Sequence, residues 1–377
     1  MTAARFLALG NYTFVTAIVP SQSLGVGFVH HHILALSILL LMGSSPACAD
    51  PIDSATPISS PDERLEHFAR EAIIDSVNSA IGTRDFAALD AMDERFRTSR
   101  ARTPAGFWNL AIYHHQLRYR LSQNLNAATG CVSGGAQFVA QWHAASPNSP
   151  AAAIAEAALL MTEAWCTRGG GYASEVEEGA WPKFHAKMEA AANVLTEHRE
   201  QASRDPQFYV MALELIRAQG MDRDEFAAVM AEATAREPAY VDIYTTAATN
   251  LLPQWGGSYI EIDALAQLAI KKSEDTEGTG IYAQIFRTLA ECGCDVIAYA
   301  ARWATLKQSM REVYERYPVR NNAEYFADLS CKMGDAQEGR RYIRAQHPEA
   351  SGDGDFAALF DACDKQAREE QSLRVTN

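Results

Sequence analysis

Acidic side chains cluster beside a run of glycines near the middle of the chain. Glu175, Glu177 and Glu178 follow Gly169–Gly171, and two carboxylates about 5–10 Å apart are what glycoside hydrolysis requires. In a chain with 47 acidic residues, such a cluster is also typical of a solvated helix start, where negative charge is favourable. We favour the solvated helix start and keep paired carboxylates as the alternative.

Signatures of other catalytic sites are missing from the sequence. No Gly-x-Ser-x-Gly elbow presents a nucleophile, and no His-Glu-x-x-His pattern places two histidines on one helical face. His114 and His115 are adjacent, so their side chains diverge on a helix. The sequence therefore predicts no catalytic residue, no metal site and no cofactor.

Two glycine-rich loops carry aromatic side chains and are the candidate binding surface. The first, Arg168–Tyr172, is not a phosphate loop, because no Gly-Lys-Ser/Thr follows its glycines. The interpretation we favour for Trp255–Ser258 is a tight turn between helices, with Trp255 filling the core and Ser258 capping the next helix. For Arg168–Tyr172 we favour a structural or linker role. As a groove, the loops would offer aromatic anchors, with Arg168 available to a carboxylate. The candidate residues are Trp165, Arg168, Gly170, Tyr172, Trp255, Gly256 and Gly257.

Six of the seven cysteines lie beyond Cys48, and their even number predicts disulfides if the chain is exported. The first pairing we expect is Cys331 with Cys363, because the two cysteines are predicted on C-terminal helices that belong to neighbouring helix pairs. The second pairing we expect is Cys131 with Cys166. The closely spaced Cys292 and Cys294 are expected to bond separate partners. A metal site at these two would need two further ligands, and no nearby histidine supplies them.

An apolar run near the N-terminus indicates export. Ile33–Gly43 precedes the small residues Ala47-Cys48-Ala49, an order typical of a secretory signal peptide cleaved before Asp50. The run of about eleven residues is shorter than the ~20 that span a bilayer. Two alternatives are an uncleaved anchor and lipid attachment at Cys48. Cleavage predicts a periplasmic or secreted protein with no stable membrane insertion.

The charge of the chain excludes one class of partner. The net charge is −14, and removal of the signal region takes away one basic residue, Arg5, and no acid. A surface this acidic repels phosphate backbones and anionic lipid headgroups. We therefore expect no nucleic-acid partner.

Hydrophobic periodicity predicts helices along nearly the whole mature chain. Ser60-Pro61-Asp62-Glu63 is a capping box that opens a helix ending at Gly82, Asp85 caps a second helix, and a third spans about 104–121. Almost no segment alternates with period two, which argues against a sheet. The apolar face predicted for the first helix consists of Leu65, Phe68, Ala72, Ile73 and Val77.

An acidic-Pro sequence recurs at a spacing typical of helical hairpins. Asp205-Pro206-Gln207-Phe208-Tyr209 returns as Glu237-Pro238-Ala239-Tyr240-Val241, with Gly220 and the helix cap Asp222 between them. A period of about 34 residues indicates tetratricopeptide-like repeats. One hairpin cannot bury its apolar face alone, so the hairpins are expected to stack into an all-α solenoid. Similar helix starts or joints are Ser149-Pro150, Tyr317-Pro318 and Met333-Gly334-Asp335-Ala336.

Several longer strings are similar to a bacterial family. They are Ser146-Pro147-Asn148-Ser149-Pro150, Ala164-Trp165-Cys166-Thr167-Arg168-Gly169-Gly170-Gly171-Tyr172, Leu251-Leu252-Pro253-Gln254-Trp255-Gly256-Gly257-Ser258 and Cys331-Lys332-Met333-Gly334-Asp335. Together they resemble the uncharacterised domain-of-unknown-function family 4034, over roughly residues 104–365. The resemblance implies a tetratricopeptide-like fold and transfers no activity or catalytic residue.

These observations divide the chain and predict its role. Residues 1–49 form the signal region (with a translation start near 26–29 as one explanation of its length), 50–59 a disordered leader, 60–130 N-terminal helices and 131–370 the repeat domain. We expect a scaffold that binds a protein or peptide in the cell envelope and is not an enzyme. The alternative is a carbohydrate-active helical toroid.

Overall fold

The structure, a computed structural model, describes residues 61–126, 130–171, 173–291 and 296–346, together with Cys363 and Lys365. Several predictions fall outside these residues. They are the signal region 1–49, the leader 50–59, and the parts played by Tyr172, Cys292 and Cys294.

The described part of the chain is all-helical, which confirms the predicted class. It contains sixteen α-helices and two short 3-10 turns, and its β pairing is an isolated bridge between Arg102 and Trp108. The helices are α1 (Pro61–Thr83), α2 (Phe86–Ser99), α3 (Asn109–Leu121), α4 (Gly135–Ala145), α5 (Pro150–Arg168), α6 (Ala180–Glu197), α7 (Arg199–Ala202), α8 (Gln207–Ala218), α9 (Arg223–Arg236), α10 (Val241–Asn250), α11 (Tyr259–Lys272), α12 (Gly280–Glu291), α13 (Val296–Ala300), α14 (Trp303–Arg316), α15 (Arg320–Lys332) and α16 (Ala336–Gln346).

Predicted caps begin several helices. The side chains of Asp85, Ser149, Asp222 and Ser258 each accept a hydrogen bond from a backbone N–H of the first turn of α2, α5, α9 and α11. Such a bond satisfies a donor that would otherwise lack a partner within the helix. The acidic-Pro sequences also lie where predicted, immediately before α8 and α10.

Two predicted boundaries are wrong. The first helix continues through Gly82 to Thr83, because a glycine inside a helix costs only about 1 kcal/mol relative to alanine. The third helix begins at Asn109 and not near residue 104. Residues before it form a tight turn in which Thr103 N–H donates to the Phe107 carbonyl at 2.8 Å.

The apolar face predicted for α1 is only partly buried. Ile73 and Val77 are in the core, whereas Leu65 and Phe68 are 59% and 62% exposed. The cause is Glu66, which is buried because its carboxylate accepts hydrogen bonds from the turn before α3. Its burial turns the neighbouring apolar residues of the first turns to solvent.

Successive hairpins pack side by side in two rows. Helices α5, α8, α10 and α12 form a first row, in which each helix contacts the next. Helices α6, α9 and α11 form a second row; α6 lies against α5 and α8, α9 against α8 and α10, and α11 against α10 and α12. This arrangement is that of helical-hairpin repeats. The N-terminal helix α3 packs against α5.

Two disulfides fasten the ends of the repeat region, and both predicted pairings are confirmed. Cys131 bonds Cys166 with a Cα–Cα distance of 5.6 Å, and Cys331 bonds Cys363 at 5.1 Å. Among the described residues, no helix has the length and apolar character needed to cross a membrane.

Candidate functional site

The segment between α2 and α3, Arg100–Trp108, is attached to the repeats and is called the linking segment below. Arg100 Nη2 lies 3.1 Å from Glu237 Oε2, just before α10. Arg102 forms an ion pair with the buried Glu277, just before α12, and its guanidinium stacks 3.5 Å from the Trp108 ring centroid. The segment is therefore fixed by charges on two consecutive repeats.

Close packing and main-chain contacts complete the attachment. The Trp108 ring meets that of Tyr240 edge-on, with centroids 5.0 Å apart, and Asn322 Nδ2 donates to the Ala105 carbonyl at 3.3 Å. Gly106 has a φ of +91°, and a Cβ there would lie 2.6 Å from the Tyr317 ring. Glycine is required at this position by both the backbone conformation and the ring.

The residues that receive the N-terminal region occupy equivalent places in the repeats. Asp205, Glu237, Glu277 and Tyr317 precede α8, α10, α12 and α15 respectively. Sequence comparison within the chain detected the first two as an echo. It missed that Asp205 faces α3 and the other three face the linking segment, because their partners lie far away in sequence.

An open groove remains beside the linking segment. It consists of two adjoining cavities of about 280 and 140 Å³, which share Ala111, Asp242 and Thr288 in their walls. The larger cavity lies between α3 and the first row, and the smaller one lies against the linking segment. The polar lining of the larger cavity includes His114, His115, Arg118, Gln207, Glu214, Asp242, Thr245, Thr246 and Thr288.

Charges in the groove are partly compensated. Arg118 donates to Glu214 at 3.0 Å and to Thr162 at 2.9 Å, which fixes its guanidinium at the groove wall. Burial raises the pKa of Asp242 to about 6, although the charges of His114 and Arg102 oppose the rise. The groove thus presents hydrogen-bonding groups together with a carboxyl group that titrates near neutrality.

Beneath the groove lies a buried acidic and imidazole cluster. His114 Nε2 is 2.7 Å from Asp205 Oδ2 and 3.7 Å from Asp93 Oδ1, and the three residues are at most 5% exposed. His114 also lines the larger cavity. The sequence around His114 did not indicate this cluster, because Asp93 and Asp205 come from other elements of the fold.

The first loop predicted for binding lies at the α5–α6 connection. Arg168 stacks over Trp165 and Trp181, at 5.3 and 5.2 Å from the ring centroids, and donates to the carbonyls of Gly169 and Gly171. Gly170 beside them is exposed, and a Cβ added to it would meet no atom within 4 Å. The guanidinium is thus engaged within its own loop.

The second loop lies at the α10–α11 connection, two hairpins further along. Trp255 is half-buried beneath Arg217, whose guanidinium is 5.5 Å from its ring centroid. Gly256 has a φ of +83°, and a Cβ on Gly257 would lie 2.1 Å from the Leu251 carbonyl oxygen. None of the described residues of either loop lines the groove cavities. The two loops as a binding surface stay a prediction.

The acidic cluster of the α5–α6 connection is exposed. Glu175 lies in a 3-10 turn, and Glu177 and Glu178 lie just before α6. A cavity of about 620 Å³ along α14 and α16 is lined by charged side chains, two pairs of which, Lys307–Asp335 and Arg311–Glu338, form ion pairs. Neither feature adjoins the linking segment, as the groove does.

Comparison with known proteins gave no match among family models, curated proteins or solved structures. The resemblance to the domain-of-unknown-function family 4034 stays a prediction. The site is accordingly interpreted from its own geometry.

Proposed function

We propose that this protein is an exported helical-repeat scaffold that binds an extended peptide segment of a cell-envelope protein in the groove between α3 and the first row. Two disulfides support a location in an oxidising compartment, the periplasm or the medium, because such bonds persist there. The signal-like N-terminus points the same way.

The observation that carries the proposal is the binding of the chain's own linking segment. This segment, which folds into a tight turn at Thr103–Phe107, is held by two ion pairs, an aromatic contact and a hydrogen bond to its main chain. Main-chain bonds and side-chain pockets are the usual means of recognising extended peptides. The groove continues this surface along α8, α10 and α12 with polar and charged side chains, so an extended peptide segment suits it.

Ala111 gives a direct test, since its small side chain lines both cavities. Peptides selected by display on the purified chain should bind Ala111→Phe at least tenfold more weakly, because the ring occupies the groove. A matched control is Ala264→Phe, which places the same ring at an exposed position on α11. This control should bind the peptides as the wild type does.

Crosslinking locates the bound peptide independently of these variants. A photoreactive residue at Thr246, in the groove wall, should capture the selected peptides, whereas one at Ala264 should not. If the peptides bound Ala111→Phe and Ala264→Phe equally and were captured at position 264, the binding site would not be the groove. A selection that returns no peptide from a large library would refute peptide binding itself.

A further inference from the structure

The buried cluster Asp93, His114 and Asp205 brings three metal-ligand types together from three parts of the chain. Asp93 lies on α2, His114 on α3, and Asp205 in the turn before α8. One donor atom from each lies within 4.8 Å of the others. A histidine nitrogen with two carboxylate oxygens is a ligand set suited to Zn²⁺ and related divalent ions.

The second oxygen of each carboxylate already has a neighbour. Asp205 Oδ1 accepts from the Gln207 N–H at 2.7 Å, and Asp93 Oδ2 faces Arg97 Nε at 3.8 Å. These contacts orient the carboxylates as outer groups orient metal ligands. They leave Asp205 Oδ2 and Asp93 Oδ1 turned toward His114 Nε2.

One of these inward atoms receives no hydrogen bond from an N–H or O–H group in the described part of the chain. It is Asp93 Oδ1, which is fully buried on a residue only 2% exposed. A buried carboxylate oxygen without a partner is costly. Two buried carboxylates also repel each other, and a divalent cation would neutralise both while leaving the imidazole uncharged.

We infer that Asp93, His114 and Asp205 bind one divalent transition-metal ion, such as Zn²⁺, beneath the floor of the groove. The sequence predicted no metal site, since none of the three residues has a second ligand at a recognised spacing. The ion would join α2 and α3 to the start of α8. This inference does not rest on peptide binding, because it is argued from the contacts within the cluster itself.

Zn²⁺ titration of the chelator-stripped full chain tests the inference. Calorimetry, checked by elemental analysis, should give one ion per chain. The variants His114→Gln and Asp93→Asn each remove a ligand and should weaken Zn²⁺ binding at least about 100-fold. Loss of an outer-shell partner costs up to about that much, and loss of a ligand should cost no less. His143→Gln is the control, because His143 lies outside the cluster and pairs with Glu156 at 2.8 Å.

A measurement on the unmodified chain covers the case in which these variants do not fold. Co²⁺ bound by nitrogen and oxygen ligands in a protein site gives visible absorption bands, and one equivalent of Zn²⁺ should abolish them. If neither the Co²⁺ bands nor stoichiometric Zn²⁺ uptake were seen, the cluster would bind no metal ion and would be held by hydrogen bonds through its own protons. Equal Zn²⁺ affinity in folded His114→Gln would likewise overturn the assignment.

Discussion

The attachment of the linking segment predicts strong coupling between Arg102 and Glu277. Their side chains are 14% and 3% exposed, and removal of one partner of a buried ion pair costs about 3–5 kcal/mol. Arg316 Nη1 also lies 3.5 Å from Glu277, so the remaining carboxylate keeps some compensation. We therefore expect Arg102→Met to lower the free energy of unfolding by about 3 kcal/mol, the lower end of that range.

A double-mutant cycle with Glu277→Gln isolates the pair from other effects, such as the stacking of Arg102 on Trp108. Urea denaturation of the four proteins should give a coupling free energy of about 1.5–3 kcal/mol. The matched cycle uses Arg223 and Glu261, which are 2.6 Å apart but 46% and 42% exposed; it should give less than about 1 kcal/mol. If the two coupling energies are equal, the linking segment is not held by a buried charge pair.

Three further predictions concern stability. The Cys131–Cys166 bond closes a loop of 35 residues, so its reduction should lower the free energy of unfolding by about 4 kcal/mol. An unchanged urea midpoint after complete reduction would contradict this. Gly256→Ala should lower the free energy of unfolding by ~1 kcal/mol, and Gly257→Ala by several times as much, because only Gly257→Ala brings a Cβ against a backbone oxygen. Similar urea midpoints for the two variants would be inconsistent with this packing. The folded pKa of Asp242, about 6, exceeds its ordinary 3.8, so its protonated form stabilises the fold at low pH and this stabilisation is lost as pH rises through 6. Asp242→Asn should therefore be more stable than the wild type by about 3 kcal/mol at pH 7.5 and equal to it near pH 3, whereas parallel pH profiles would exclude a raised pKa.

Local signals were enough to predict much of the fold. A cap such as Asp222 acts on N–H groups two and three residues away, so the sequence alone indicates where α9 begins. The all-α class followed from periodicity, which is also local. The Cys331–Cys363 disulfide followed from the placement of both cysteines on predicted C-terminal helices.

The site could not be predicted in the same way. The pair Arg102–Glu277 joins residues 175 apart in sequence, and His114–Asp205 joins residues 91 apart. No pattern within one element reports such contacts. Arg168 was predicted from the sequence to be available to a ligand carboxylate, but its guanidinium donates to carbonyls of its own loop. Residues that stood out by local composition were therefore poor guides to the groove.

The repeat period itself explains how the N-terminal region is held in one register. Each first-row helix begins after an equivalent residue, and three of these are acids: Asp205, Glu237 and Glu277. The N-terminal region meets each with a different basic group, His114, Arg100 and Arg102 respectively. Sliding the region by one repeat would place an arginine against the Asp205 pocket and leave the buried Glu277 with the more distant Arg316 as its remaining cation, which is unfavourable. A regular scaffold thereby accepts an irregular segment in a single position, and the groove lies where α3 presents the small side chain of Ala111 to the same row.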